Sequence, residues 1–220
     1  MDVIPRGVRV VEIALVREES AGRALATAPR LMLFDVGGAD AAGPAASVAF
    51  VASPAALHAL FEVESEPPLR VAAVDGGPVF EDECVELFLA RPHDPVAYRE
   101  IVVNPAGARY GAEVRNPDDS RATWTLLPGR LPDGLSVTVA GGEDGVRPQA
   151  FRRWSCRISV PWRALSPDGL SPAPGEERRL NAYRIARGAS TRFQALSPTL
   201  RSAPPDFHVP SRFAKAVFRI

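Results

Sequence analysis

The sequence predicts an all-β fold, a two-sheet antiparallel β-sandwich of the immunoglobulin or jelly-roll kind with few short helical turns. Three observations carry this. Short runs rich in β-branched and aromatic residues recur along the 220 residues, each bounded by Gly, Pro, Asn or Asp. Helical periodicity is nearly absent. The 22 prolines and 17 glycines are spread throughout, which limits long helices and suits a loop-rich sandwich.

Taken in order, residues 8–16 alternate, with Val8, Val10, Glu12, Ala14 and Val16 on one side and Arg9, Val11, Ile13 and Leu15 on the other. Residues 46–51 and 57–64 follow, then 84–90, 98–104 and 108–114. Asn104-Pro105-Ala106-Gly107, between the last two, has the composition of a hairpin turn. Residues 135–140, 153–160, 179–186 and 213–220 complete the set of strands. Pro161-Trp162-Arg163-Ala164-Leu165 can form one helical turn with Pro at its first position. Residues 37–44 and 165–176 read as surface loops. No repeat or linker divides the chain, so one all-β domain over residues 1–220 is expected.

Composition excludes several functions. The 26 basic and 26 acidic residues leave a formal net charge of +0, whereas nucleic acid demands a clustered positive surface. Lys215 is the only lysine. No run approaches the roughly 20 apolar residues of a membrane helix. Arg6, Arg9, Glu12 and Arg17 interrupt every apolar run near the N-terminus, so no secretory core of about 7–15 residues exists. The expectation is a cytoplasmic chain, although one trimmed of a leader would read the same. Cys84 and Cys156 allow one disulfide at most; both lie in strand-like segments and read as buried free thiols. His58, His93 and His208 are dispersed without metal-ligand spacing. Phosphate loops, nucleophile elbows and dinucleotide fingerprints are absent from the sequence, and an enzyme is not expected.

Period-2 alternation in Glu83-Cys84-Val85-Glu86-Leu87-Phe88-Leu89 puts Val85, Leu87 and Leu89 on a core face and Cys84, Glu86 and Phe88 on the other. A carboxylate at Glu86 is then either solvated or turned toward a ligand. On the next strand Tyr98, Glu100, Val102 and Asn104 share a face, opposite Arg99, Ile101 and Val103. On the late strand Asn181 and Tyr183 share a face and Arg184 opposes them. Asn181 reads as a structural bridge and Arg184 as an ion-pair partner. His208, beside Phe207, is placed either to contact a ligand or, preferentially, to cap the short turn that follows.

Four segments carry a resemblance: residues 80–89, with Phe80 just ahead of the acid-bearing strand; 179–186; Ala-Leu-Ser-Pro-Thr at 195–199; and Asp-Phe-His-Val-Pro-Ser-Arg-Phe from 206. Together they resemble the family 9 carbohydrate-binding modules and the wider DOMON-like sandwiches, over roughly residues 56–220. Residues 1–45 lie outside and are expected to supply a first strand and a loop. The resemblance implies that aromatics at Phe80 and Phe207 close on a sugar, and that Glu86 accepts hydrogen bonds from its hydroxyls. The family often has tryptophan at both aromatic positions. It also places a basic side chain where Val102 stands here, so that contact is expected to be lost. Some members carry calcium, for which Glu81-Asp82-Glu83 offers carboxylates. DOMON-like sandwiches also include haem-binding modules, but Met32 and Lys215 sit in no ligand motif. The expectation is a non-catalytic module for a small carbohydrate, with a site of Phe80, Glu86, Tyr98, Glu100, Phe207 and His208 and no required cofactor. The alternative is a scaffold domain without a sugar, pairing edge strands into a homodimer; a haem-binding module or a glycoside-processing enzyme stands behind both.

Overall fold

The computed structural model describes residues 7–41, 43–141, 146–166 and 168–220. Strand β1 (Val10–Leu15) is followed by helix α1 (Ala21–Thr27) and two short strands, β2 (Leu31–Met32) and β3 (Phe34–Asp35). Strands β4 (Ala46–Ala52), β5 (Ala56–Glu64), β6 (Cys84–Arg91), β7 (Asp94–Val103), β8 (Arg109–Arg115) and β9 (Thr125–Pro128) come next. The chain continues through β10 (Ser136–Gly141), β11 (Arg153–Pro161), β12 (Glu177–Arg187), β13 (Thr191–Ala195) and β14 (Ala214–Arg219). Every strand expected from the sequence forms, with shifted ends. The Pro161 segment makes its helical turn at Trp162–Ala164, with the proline just ahead of it.

The strands join in the order β10-β11-β5-β4-β1-β14-β12-β6-β7-β8-β9, with β13 on β12 and β2 on β4. This sheet curls so that its halves pack face to face. One apolar cluster takes Phe61, Ile158 and Trp154 from the first half and Leu87, Ile101 and Leu180 from the second. Period-2 alternation supplies these residues, since each strand turns alternate side chains inward. Among the described residues no helix is long and apolar enough to cross a membrane.

Two expectations need correction. The sheet is mixed rather than antiparallel, because β1 pairs in parallel with β14 (Val10↔Lys215) and with β4 (Ala14↔Val51). A parallel neighbour requires a crossover, and α1 lies on the one between β1 and β4. Residues before 46 therefore hold a helix and two short strands as well as β1 and loop. In α1, Ala21 and Leu25, one turn apart, are buried, and Leu25 packs on Ala49 and Val51. Seven residues are too few to show a period. Cys84 and Cys156 are free and buried in separate clusters.

The β12–β13 hairpin turns beside residue 66. A Cβ on Gly188 would stand 2.1 Å from the Glu66 carbonyl oxygen, which also accepts the Ala189 N–H. Gly188→Ala is expected to lower the urea midpoint by the equivalent of about 1–3 kcal/mol, as overpacking does. An unchanged midpoint would show that this close approach is not maintained in solution.

Candidate functional site

The outer face of β12, β6, β7 and β8 is buried as well. A row of directly opposed residues crosses it, Tyr183–Glu86–Val102–Tyr110, beside a second row of Asn181–Phe88–Glu100–Ala112. Glu86 and Glu100 are thus diagonal neighbours on adjacent strands. Around them Phe88, Tyr98, Tyr183 and Phe213 form a second apolar cluster.

Loops build walls on this floor. Phe80 stands on the turn Val79–Glu81, edge-on to Tyr110 with centroids 5.2 Å apart. Arg121 and Trp124 come from the segment between β8 and β9, with the guanidinium 4.9 Å over the indole. Phe207 stacks on Tyr183 at 4.2 Å and Trp124 meets the His208 ring edge-on. With Phe193, Leu126 and Pro205 these side chains enclose a pocket of about 270 Å³, and Glu86 and Glu100 line it.

Sheet side chains, and Asn116 just past β8, hold the late loop in place. The Tyr183 hydroxyl donates to the Phe207 carbonyl (2.9 Å), and Asn116 Nδ2 donates to that of His208 (2.8 Å). Asn181 bridges to the backbone of Ser197 through both its amide atoms, as expected. His208 Nδ1 shares a 2.8 Å hydrogen bond with the Tyr98 hydroxyl.

The electrostatics of the pocket are unusual. Glu86 and Glu100 are 2% and 4% exposed, and neither has an ion pair among the described residues. Glu86 accepts only a long 3.9 Å contact from the Cys84 thiol, and Glu100 Oε2 is buried without a partner. Burial and the neighbouring Glu100 push the Glu86 carboxyl well above its ordinary range. Burial raises Glu100 to about 7 against the pull of Arg121. Arg121 instead donates to Asp206 Oδ1 at 2.8 and 3.2 Å. Burial opposes ionisation of Asp206, but hydrogen bonds from Arg121 and the His208 N–H outweigh it and hold that carboxyl below its ordinary value. Burial, then Arg121, lowers His208 to about 3, so its ring is neutral.

Five of the six expected residues, Phe80, Glu86, Glu100, Phe207 and His208, line this pocket. Tyr98 stands behind it as the partner of His208. Some expected roles change. His208 does not cap the turn Pro210–Arg212, which has no side-chain cap. Phe207 is 6% exposed because Tyr183 covers one face, while Phe80 stays 38% exposed. Neither glutamate is solvated, because the late loop closes over their face. Val102 is buried in the floor, and the cation lining the pocket is Arg121, on a loop. Arg121 and Trp124 were not anticipated; a tryptophan within the polar run 116–125 is the signal that would have found them. The carboxylates of Glu81, Asp82 and Glu83 diverge. Glu81 pairs with Arg70 at 2.7 Å, Asp82 accepts the Ala72 and Ala73 N–H groups, and Glu83 pairs with Arg184. Among the described residues no group of three or more metal-ligating side chains is placed to hold an ion. A larger, open groove of about 670 Å³ lies on the other half of the sheet, but its charges pair with each other, Arg30 with Glu62 and Arg153 with Glu64.

The sequence model of carbohydrate-binding family 9 matches residues 42–218, most of the chain. The chain belongs to carbohydrate-binding family 9. The fold of this family 9 chain is similar to that of a candidate carbohydrate-binding protein from Bacteroides uniformis. That match has a TM-score of 0.73 and 19% identity over 97% of this chain and 100% of the other. It is also similar to a family 9 carbohydrate-binding module from Caldicellulosiruptor kristjanssonii. Solved with cellotriose, that module gives a TM-score of 0.61 and 14% identity, over 96% of this chain and 94% of that one. Solved with glucose, it gives 0.60 and 11%, over 96% of each. At these identities the likeness is one of fold. Comparison of this family 9 sequence with curated proteins gives no match.

Proposed function

We propose that this family 9 chain is a non-catalytic carbohydrate-binding module that seats one sugar ring, or the end of a sugar chain, in the pocket between Phe80, Trp124 and Phe207. The observation that carries the reading is the juxtaposition of aromatic walls with two buried carboxyls on a rigid floor. A pyranose has apolar C–H faces that pack on rings and hydroxyls that point sideways to polar groups, and small-ligand sites divide their surface in the same way. About 270 Å³ lies just below the usual range of roughly 300–1,000 Å³, which suits a single ring. The structural neighbours solved with glucose and with cellotriose support the ligand class. Phe80, Glu86, Glu100, Phe207 and His208 contact the sugar, and Tyr98 holds His208.

Isothermal titration with mono- and disaccharides tests this. Trp124→Ala is expected to weaken the best sugar about tenfold, since an aromatic face contributes up to about 1.5 kcal/mol. No heat with any sugar at millimolar concentration, from folded protein, overturns the reading.

A further inference from the structure

Two carboxyls facing one small pocket need more than hydroxyls to satisfy them. Among the described residues Glu100 Oε2 has no donor, and Glu86 has only the distant Cys84 thiol. The cation lining the pocket, Arg121, is already engaged by Asp206 and by the face of Trp124. The His208 ring, tied to Tyr98 and kept neutral by burial, brings no charge. The pocket therefore has acceptors in excess and lacks a counter-charge. Resting on the sugar-binding reading, we propose that the preferred ligand is an amino sugar, with its ammonium seated between Glu86 and Glu100.

The chemistry matches on three counts. An ammonium brings three N–H donors to two acceptors that lack them. Its charge compensates carboxylates whose isolated burial is costly. The exposed ring of Phe80 favours a cation as it favours C–H groups. Both carboxyls sit above their ordinary range in the empty pocket, as expected of a pair without a counter-charge. Binding an ammonium there favours ionisation of one carboxyl of the pair, the other keeping its proton, and the one displaced proton passes to the buffer.

Calorimetry at pH 6.5 with glucosamine, glucose and N-acetylglucosamine, on wild type, Glu100→Gln and Glu86→Gln, decides the matter. The expected result is glucosamine at least tenfold tighter than the two neutral sugars, with a binding heat that changes with the ionisation heat of the buffer. In Glu100→Gln or Glu86→Gln the preference should shrink toward unity. Glucose or N-acetylglucosamine binding as tightly as glucosamine to wild type overturns the amine assignment and leaves the sugar site standing. So does a preference that survives both substitutions. Folded protein that binds none of the three overturns the sugar site itself.

Discussion

Glu100→Gln is expected to make the fold more stable at pH 7, by up to about 3 kcal/mol. The native state holds the Glu100 proton to about 7, whereas the ordinary value is 4.5. Between those values the folded chain binds more protons than the unfolded one, so stability falls as pH rises. The penalty is absent below about pH 4.5 and complete above pH 7; at about 1.4 kcal/mol per pH unit it reaches the figure given. Glutamine keeps the shape and never ionises, and Glu86 is relieved of a like-charged neighbour. His208 acts in the opposite sense. The unfolded chain takes up a proton below 6.5 and the native ring only near 3, so stability falls as pH drops through that window. This contribution is common to both proteins and cancels in their difference. Urea midpoints of wild type and variant should therefore coincide near pH 4 and separate above it, with the variant higher. A variant less stable than wild type at pH 8 would sink the argument. The physical content is that the pocket weakens the fold in order to present acceptors.

The largest loss is expected behind the pocket. Arg184, on the inner face of β12, donates through Nε and a terminal nitrogen to Glu83 Oε1 at 3.0 and 2.9 Å. The two side chains are 1% and 0% exposed. The same guanidinium reaches the Pro44 carbonyl and Gln194, and Glu83 Oε2 accepts the Arg187 N–H at 2.7 Å. Removing one partner leaves the other as an uncompensated buried charge, which costs about 3–5 kcal/mol. Arg184→Met should lower the urea midpoint accordingly, and a combined Glu83→Leu, Arg184→Met protein should recover much of the loss, since a buried pair is often replaceable by apolar groups. A single variant within 1 kcal/mol of wild type would falsify the account, on the scale of a typical point mutation.

Much of this molecule is legible in its sequence because period-2 alternation survives in strands such as β1, β5, β11 and β14. That pattern placed Glu86 and Glu100 on a common side of adjacent strands, and the aromatics at Phe80 and Phe207 marked the loops that close on them. The fate of that side was harder to read. Apart from Glu86, that side of β6 is apolar too, with Cys84, Phe88 and Ala90, which signals a strand covered on both sides. What covers it is a loop, and loops carry no period. Arg121 and Trp124 escaped for the same reason. The direction in which β1 pairs is not encoded by alternation at all; it depends on a partner at the far end of the chain. Helix α1 has one buried pair of residues, too little for a moment to emerge.

The position of β14 has a consequence for how the protein comes into being. It lies between β1 and β12 and joins the two halves of the sheet, yet it is the last strand in chain order. While the chain is being synthesised, the facing edges of β1 and β12 stand open until residues 214–219 emerge. Contacts between the first strand and the last also make for slow closure. The nascent protein therefore spends its most adhesive interval with two central edges unpaired, and that interval, more than the finished sandwich, sets its exposure to aggregation.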